Sequence, residues 1–360
     1  MSRRPEGPLR RGWTTGACAA AATRAAFEAL HTGEFPDPVS IALPRGERPA
    51  FALSKHATGD GWAEAGVIKD AGDDPDVTHG ALIVARVGRN PGGGIVYRAG
   101  DGVGTVTRPG LQLPVGEPAI NPKPREIIAG AIVEAAAAIG CPPDASVTIS
   151  IPGGAELAKR TLNSRLGILG GLSILGTTGI VIPYSCSSWI HSIHRGIDVA
   201  RAAGLGHVAG STGRVSEEAV RRLHKLPEEA LIDMGDFAGG MLKYLRDHPV
   251  PRLTIAGGFA KLAKLADGHL DLHSGASEVD VSGLATMLAG LGAPPSLVEE
   301  ARAAASGGAV LALARAAGLP LAEMIARRSR EVALATLAGG IAVDVAVFDR
   351  SGELLAHAGP

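Results

Sequence analysis

Four aspartates within seven residues form the cluster of the sequence that is richest in possible chemistry. Asp70, Asp73, Asp74 and Asp76 follow a predicted strand at 63–68 and alternate with glycine and proline. Carboxylates at this density can bind a hard cation, act as a general base, or accept hydrogen bonds from a substrate. An acidic surface turn is the alternative, because Asp, Gly and Pro all favour turns. The spacing does not match an EF-hand loop.

Two threonines precede a long alanine-rich segment near the start of the chain. The run 17–30 has high helix propensity, and Thr14 or Thr15 is a suitable N-cap. Hydroxyls and free backbone N–H groups at a helix start can also bind an anion. Cys18 falls in the first turn, where the helix dipole is expected to lower the pKa of a thiol. The segment predicts either an anion-binding helix start or a capped helix with a small buried cysteine.

A proline-rich loop at 117–125 ends where a predicted helix begins. Its three prolines restrict the backbone, so the side chains of Glu117, Asn121 and Arg125 are expected to hold fixed directions. The loop is either a support for ligand-binding side chains or a rigid connector.

Three histidines have the chemistry of metal ligands. His191 and His194 lie three residues apart on a predicted helix, and His273 lies in a predicted loop. No further ligand stands at a telling spacing, and surface or helix-packing roles explain these histidines better. We therefore predict no metal site in the protein.

The elements that position these residues centre on the glycine-rich stretch 150–185. Glycine permits close backbone approach, so the stretch indicates either tight turns between core strands or contact with a ligand. After residue 165 strands and helices alternate, which is typical of a parallel sheet. Ligands bind beyond the carboxyl ends of such strands, so we predict a ligand crevice there. Glycine or small polar residues end all four predicted strands, at 166–169, 207–209, 230–234 and 253–256.

The order of the elements predicts two domains. The first part of the chain is dominated by strands with two helices, which indicates an α+β domain over residues 1–152. An α/β domain with a short parallel sheet is expected over residues 153–360. The closing hairpin at 341–357 is expected to pair either within the second domain or with the sheet of the first.

Composition excludes several classes of protein. The 360 residues carry a net charge of −1, so no basic surface for nucleic acid or anionic lipid is expected. No apolar run reaches the roughly 20 residues that span a bilayer. The three cysteines are widely separated, which fits a reducing cytoplasm without a disulfide framework. We expect a cytoplasmic protein with no nucleic-acid or membrane partner, and homo-oligomer formation stays open.

Several segments together, in the same order, resemble the CbiD family of cobalt-precorrin-5B (C1)-methyltransferases. The resemblance covers most of the first half of the chain and departs from the family between the motifs of the second half, including 184–195. The closely matching segments are 12–20, 69–78, 102–107, 116–122 and 151–181. The looser matches are 210–213, 235–236, 257–258 with Lys261, and 273–274.

The resemblance implies methyl transfer from S-adenosylmethionine to C1 of cobalt-precorrin-5B, giving cobalt-precorrin-6A in corrin ring (cobalamin) biosynthesis. The family is unlike standard methyltransferases in its motifs, which agrees with the lack of a complete GxGxxG turn followed by a distal acid. The chemistry expected is an in-line displacement with C1 of the ring as the nucleophile. The alternatives are a tetrapyrrole-modifying enzyme that does not use this cofactor and a non-catalytic carrier of a corrinoid intermediate.

The resemblance and the residue chemistry together define three sets of candidate residues. The candidate catalytic carboxylates are Asp70, Asp73, Asp74 and Glu117. The turns expected to hold S-adenosylmethionine contribute Gly170, Gly171, Thr177, Thr178, Thr212, Gly213, Asp236 and Gly257. The carboxylate-bearing tetrapyrrole substrate is expected to meet Thr14, Thr15, Asn121, Arg125, Lys159 and Arg165, mostly on the side of the first domain.

Overall fold

The glycine-rich stretch pairs with the first part of the chain in the computed structural model, which describes residues 7–360. The chain forms two units, of which the first ends at Ser185 and the second is Cys186–Pro360. The structure therefore differs from the predicted boundary at 152/153, and residues 1–6 of the predicted first domain lie outside the described residues. The reason is strand pairing, because two short strands of the stretch are antiparallel partners of earlier strands: Ile168–Leu169 with Thr105–Val106, and Ile180–Val181 with Gly12–Trp13.

The first unit combines a mixed sheet with two long helices. Its main sheet has the order β4-β5-β6-β9-β7, in which β7 and β9 run parallel and the other neighbours antiparallel. Its strands are β1 (Gly12–Trp13), β2 (Val39–Ser40), β3 (Ala50–Phe51), β4 (Lys55–Gly59), β5 (Trp62–Ile68), β6 (Leu82–Arg89), β7 (Ile95–Ala99), β8 (Thr105–Val106), β9 (Ala145–Ser150), β10 (Ile168–Leu169) and β11 (Ile180–Val181). Its helices are α1 (Thr15–Thr32), α2 (Pro122–Ile139) and α3 (Gly154–Ala158).

Helix α1 is the centre of the first unit's core. Its alanines are buried, and their small side chains let the helix pack closely against α2, β5 and β6. The hydroxyl of Thr14 accepts a hydrogen bond from the backbone N–H of Ala17 at 3.2 Å, and Gly33 ends the helix at a φ of 85°. The helix start predicted from Thr14 and the alanine run is therefore confirmed.

The second unit is built on a sheet with the order β13-β12-β14-β15-β16, parallel except for β16. Its strands are β12 (His207–Ser211), β13 (Leu231–Asp233), β14 (Arg252–Gly258), β15 (Ala342–Phe348) and β16 (Leu354–Ala358). Its helices are α4 (Cys186–Ala202), α5 (Arg214–His224), α6 (Ala238–Asp247), α7 (Phe259–Ala266), α8 (Val281–Gly290), α9 (Pro295–Arg302), α10 (Gly307–Ala316) and α11 (Leu321–Leu337), with a 3₁₀ turn at Glu228–Ala230.

The predicted parallel sheet is confirmed for β12, β13 and β14, but not for β10. Ile168–Leu169 pairs antiparallel with β8 in the first unit, and the fourth parallel strand is β15. The closing hairpin, β15 and β16, pairs with β14 and thus belongs to the sheet of its own unit.

None of the helices between residues 7 and 360 is both long and apolar enough to span a bilayer.

The direction of strand addition reverses at β12 and β14. From β12 the chain adds β13 on one side and then crosses to place β14 on the other. Helix α5, which follows β12, packs on one face of the sheet in a cluster with Ala209 and Ala256. Helix α7, which follows β14, packs on the opposite face in a larger cluster with Val208 and Ile255. The carboxyl ends of β12 and β14 are therefore a topological switch point, where open α/β sheets bind ligands.

Candidate functional site

The turns after β12, β13 and β14 meet at the switch point, and we call this region the glycine-turn crevice. The backbone N–H of Thr212 donates to the carbonyl of Ala256 at 3.0 Å. A Cβ added to Gly257 would lie 2.9 Å from the side chain of Thr212. The N–H of Gly235 donates to the carbonyl of Ser211 at 3.1 Å. The structure thus brings together four predicted cofactor residues: Thr212, Gly213, Asp236 and Gly257.

Two glycines of the crevice have no role in the packing of the chain. Gly213 has a φ of 166° and Gly258 a φ of −73°, so both adopt backbone conformations open to any residue. A Cβ added at either position would meet no atom within 4 Å beyond its chain neighbours, as far as residues 7–360 show. Gly257, in contrast, is required by its contact with Thr212. A ligand that approaches the backbone would explain the open space beside Gly213 and Gly258.

The same two glycines are the N-caps of α5 and α7. Neither forms a side-chain cap hydrogen bond, since glycine has no side chain. The first N–H groups of a helix have no intrahelical partner and favour an anionic group. Two helix starts at one switch point can therefore bind a carboxylate or phosphate.

An ion pair closes one side of the crevice. Lys261 on α7 pairs with Oδ1 of Asp236, and its ammonium group also donates to the carbonyl of Leu272 at 3.2 Å. The buried Lys264, one turn further along the helix, donates to the carbonyls of Leu272 at 3.0 Å and Ser277 at 2.6 Å. Oδ2 of Asp236 has no hydrogen-bond partner among the described residues, so this oxygen is available to a ligand. The sequence signal for both lysines was their three-residue spacing after the Gly-Gly turn, which places them on one helix face.

A buried hydroxyl at the end of β12 has no hydrogen-bond partner. Ser211 is 0% exposed, and its Oγ is unsatisfied within the described part of the chain. Buried polar groups are nearly always hydrogen-bonded, so an orphan next to Thr212 and Gly213 indicates a missing partner. Ser211 lies in the matching segment 210–213, but it was not among the residues predicted to bind the cofactor.

In the first unit, the predicted catalytic aspartates bind the chain itself. Asp70 forms a double ion pair with Arg10, and Asp73 accepts a hydrogen bond from the backbone N–H of Arg10 at 2.6 Å. Asp74 accepts one from the backbone N–H of Tyr184 at 2.8 Å. The Arg10 guanidinium lowers the pKa of Asp70 to about 2. These contacts join the segment before β1, the acidic loop and the end of the first unit.

The fourth aspartate of the loop pairs with a buried lysine. The ammonium group of Lys69, 3% exposed, donates to Asp76 and to the hydroxyl of Thr78, both at 2.5 Å. Burial opposes ionisation of Asp76, but the charge and hydrogen bond of Lys69 hold the net pKa of that carboxyl below its usual range.

Burial also raises the pKa of the Cys18 thiol to about 12, so the expected lowering by the helix dipole is wrong.

The starts of α1 and α2 converge on segment 174–179. A Cβ added to Gly16 in the first turn of α1 would lie 3.1 Å from Pro124 in the first turn of α2. The backbone N–H of Asn121 donates to the carbonyl of Ile174 at 3.0 Å, and that of Thr14 donates to the carbonyl of Gly179 at 2.9 Å. The structure thus brings Thr14, Thr15 and Asn121 into one region with Thr177 and Thr178.

The predicted cationic substrate ligands are engaged elsewhere. Arg125 donates to the carbonyl of Ile120 at 2.8 Å and to the carboxylate of Glu117 at 2.9 Å, so both predicted residues brace the proline-rich loop. Lys159 pairs with Glu156 at 2.7 Å on the exposed surface. Arg165 also has an interaction partner. Among the described residues, the contacts of Lys159 join it to Glu156 and not to the starts of α1 and α2.

Gly170 and Gly171 are not turns of the parallel sheet, because β10 pairs with β8. A Cβ added to Gly171 would lie 2.3 Å from the carbonyl carbon of Gly102, so this glycine allows two backbones to cross. Gly170 has a φ of 86°, which favours glycine. Both belong to the first unit and have roles in its turns, whereas the crevice residues belong to the second.

The three histidines considered as metal ligands have other partners. The ring of His194 stacks on Tyr244 with centroids 3.9 Å apart, and His191 contacts His194 edge-on at 6.2 Å. Nδ1 of His273 accepts a hydrogen bond from the backbone N–H of Gly275 at 3.0 Å. Within the described residues, none of the three belongs to a group of side chains at metal-ligand distances.

The chain is similar to known proteins over most of its length. The CbiD family model matches residues 2–183, and the model of the CbiD C-terminal domain matches residues 271–359. A protein from Bradyrhizobium sp. (strain BTAi1) is 63% identical over 97% of this chain and 93% of its own length. One from Brucella anthropi is 60% identical over 97% of this chain and 95% of its own. One from Rhodospirillum rubrum is 61% identical over 98% of each chain.

All three relatives are named cobalt-precorrin-5B C(1)-methyltransferase. Among solved structures, the 1.9 Å crystal structure of the cobalamin biosynthesis protein (cbiD) from Archaeoglobus fulgidus is 29% identical. The match covers 72% of this chain and 80% of that chain, with a TM-score of 0.40.

Proposed function

The chain belongs to the CbiD family, and from this membership we infer that it is a cobalt-precorrin-5B C(1)-methyltransferase of cobalamin biosynthesis. The observation that carries the inference is the identity of about 60% to relatives of that name, over nearly the whole of both chains. The motifs that suggested the family occur in both units. The reaction therefore transfers one methyl group to a corrin-ring intermediate.

We propose S-adenosylmethionine as the methyl donor and the glycine-turn crevice as its site. The open space beside Gly213 and Gly258 and the orphaned hydroxyl of Ser211 fit a ligand that lies against the backbone. The helix starts after these glycines would bind the methionine carboxylate, and Oδ2 of Asp236 would accept a hydrogen bond from a ribose hydroxyl. S-adenosylmethionine, when bound, supplies an electrophilic methyl group.

The tetrapyrrole substrate is proposed to bind at the convergence of α1 and α2. Corrin intermediates carry several carboxylate side chains, and two adjacent helix starts with Thr14, Thr15 and Asn121 favour such groups. Thr177 and Thr178 were predicted to bind S-adenosylmethionine, and we now propose them for the substrate set instead, because segment 174–179 packs on Thr14. Arg125 and Arg165 would contribute only by sharing or exchanging their present contacts.

The acidic loop is proposed to act near the reacting carbon. A carboxylate there would favour a cationic centre or accept a ring proton. Asp70 is a weak base because its pKa is about 2, and Glu117 is paired with the charged Arg125. Asp73 and Asp74 are the better candidates, because among the described residues each accepts a backbone N–H at one carboxylate oxygen, which leaves the other oxygen for a proton. We expect Asp73→Asn and Asp74→Asn to lower methyl transfer, and the exposed Asp60→Asn to serve as control. Full activity in both variants would remove the catalytic role.

The deciding experiment is mass spectrometry of a reaction with methyl-labelled S-adenosylmethionine and cobalt-precorrin-5B. One labelled methyl group on the ring, absent when the protein is omitted, is the expected result. Ring binding without label, with the protein folded, would favour a non-catalytic carrier. A ring modified without label, together with no thermal shift on adding S-adenosylmethionine, would favour another tetrapyrrole-modifying enzyme.

A further inference from the structure

Two histidines and a buried aspartate meet towards the amino ends of the parallel strands, away from the glycine-turn crevice. Asp344 lies on β15 and is 0% exposed, His357 lies on β16, and His224 is the last residue of α5. Nε2 of His224 lies 3.3 Å, and Nε2 of His357 3.1 Å, from Oδ2 of Asp344. One ligand atom from each residue lies within 4.8 Å of the other two.

These distances are close to those of a metal coordination sphere. Bonds of about 2.1 Å in a tetrahedral site place neighbouring ligand atoms roughly 3.4 Å apart. The two nitrogen–oxygen distances already have nearly this value. A small approach of the two histidine rings would complete a three-ligand set, with a fourth position open to water.

One atom of the cluster is not explained by hydrogen bonding. Nε2 of His224 is buried and, although it lies 3.3 Å from Oδ2 of Asp344, it has no hydrogen-bond partner of good geometry within residues 7–360. The carboxylate of Asp344, in contrast, is fully hydrogen-bonded, since it accepts from Arg252, Thr254 and His357. A buried nitrogen without a partner calls for an absent ligand.

The surroundings of the aspartate are those of a supported metal ligand. Arg252 donates to Oδ1 of Asp344 at 2.8 Å and leaves Oδ2 on the side of the histidines. The hydroxyl of Thr254 donates to Oδ2 at 2.8 Å and lies 2.7 Å from Nε2 of His207. Such outer hydrogen bonds fix the direction of a ligating carboxylate. His357 is 36% exposed, which provides an entry path.

We propose that His224, Asp344 and His357 bind one divalent cation of the Zn²⁺ type. Two imidazoles with a carboxylate favour Zn²⁺ or Co²⁺ over Mg²⁺ and Ca²⁺, which prefer oxygen ligands. The ion would join β15, β16 and the end of α5 within the second unit. It is separate from the cobalt of the substrate, which belongs to the tetrapyrrole.

The test is titration of chelator-treated full-length protein with Co²⁺, followed by its visible absorption, and with Zn²⁺, followed by calorimetry. We expect one ion per chain, the intense bands of four-coordinate Co²⁺, and a rise in melting temperature with Zn²⁺ but not Mg²⁺. His357→Gln should weaken binding at least about tenfold. The exposed His269→Gln is the matched control and should bind as the parent protein does.

The proposal is overturned if the parent protein binds no stoichiometric ion, or if His357→Gln binds as tightly as His269→Gln. His357 is the first choice because it is partly exposed on the last strand, so its replacement should leave the fold intact. If circular dichroism shows that this variant is unfolded, the Co²⁺ spectrum of the parent protein decides. Bands typical of a six-coordinate, all-oxygen ion would then refute the site.

Discussion

Replacing Gly213 by valine tests whether the glycine-turn crevice binds the methyl donor. The fold provides no reason for glycine at this position, because its φ of 166° is extended and an added Cβ would meet no atom within 4 Å in the described chain. If the donor lies against this backbone, valine fills the space that the donor needs. Binding should therefore be lost while folding is retained.

The expected effect on stability is small. Gly213 forms no side-chain cap, so exchanging it for valine at an N-cap costs at most about 1 kcal/mol. Restricting the unfolded chain contributes roughly 0.4–1 kcal/mol in the opposite direction. The net change in the free energy of unfolding should lie within about 1 kcal/mol, which is small against the roughly 5–15 kcal/mol of an ordinary domain.

The expected effect on binding is larger. Forcing a side chain into occupied space costs about 1–3 kcal/mol. Since 1.4 kcal/mol corresponds to a factor of about ten in Kd, the affinity for S-adenosylmethionine should fall about 5- to 150-fold.

Calorimetric titration with S-adenosylmethionine and thermal unfolding are the two measurements. Gly206→Val is the matched control. Gly206 is exposed and directly precedes the amino end of β12, away from the crevice, and a Cβ added to it would lie 3.9 Å from Pro251. We expect unchanged affinity in the control and similar melting temperatures in both variants. Unchanged affinity in Gly213→Val would refute the assignment of the crevice.

Three further predictions concern the first unit and the thiols. With a pKa of about 12, the thiol of Cys18 should resist a disulfide reagent at neutral pH until the protein unfolds, whereas the exposed Cys186 should react at once. If both thiols react equally fast in the folded protein, the argument from burial is contradicted. Thr14→Ala should lower the free energy of unfolding in urea by about 1 kcal/mol, and Thr14→Ser should restore most of it. Arg10 lowers the folded-state pKa of Asp70 to about 2, so the stability that this pair contributes is present above pH about 4 and is lost as the pH falls towards 2. Between these two pH values, the urea midpoint of Asp70→Asn should therefore decline less than that of the parent protein.

Local sequence was sufficient for the elements whose signals lie within a few residues. Helix α1 was predicted because a capping threonine and a run of alanines act within one or two turns. The strands β12, β13 and β14 were predicted because each is an apolar run that ends in glycine or small polar residues. Their parallel direction and the common edge of their carboxyl-end turns followed from the alternation with helices, whereas their order in the sheet did not.

Long-range pairing decided what the local signals left open. The apolar residues Ile168–Leu169 look like another strand before a glycine turn, yet their partner is Thr105–Val106 in an antiparallel pair. An apolar run predicts a strand but not the strand that it pairs with, because parallel and antiparallel sheets both bury apolar side chains. Because of this pairing, the first unit ends at Ser185 and not at the predicted boundary of 152/153.

The sequence by itself determined the family, the helix start at Thr14 and the existence of a row of glycine turns after parallel strands. Only the tertiary structure decided which glycines pack against backbone and which leave space, and that Asp70 is bound by Arg10, sixty residues earlier. It alone brought His224, Asp344 and His357 together from a helix end and two strands. The physical reason is that propensity and capping act between near neighbours, whereas these contacts depend on strand order and register across the whole unit.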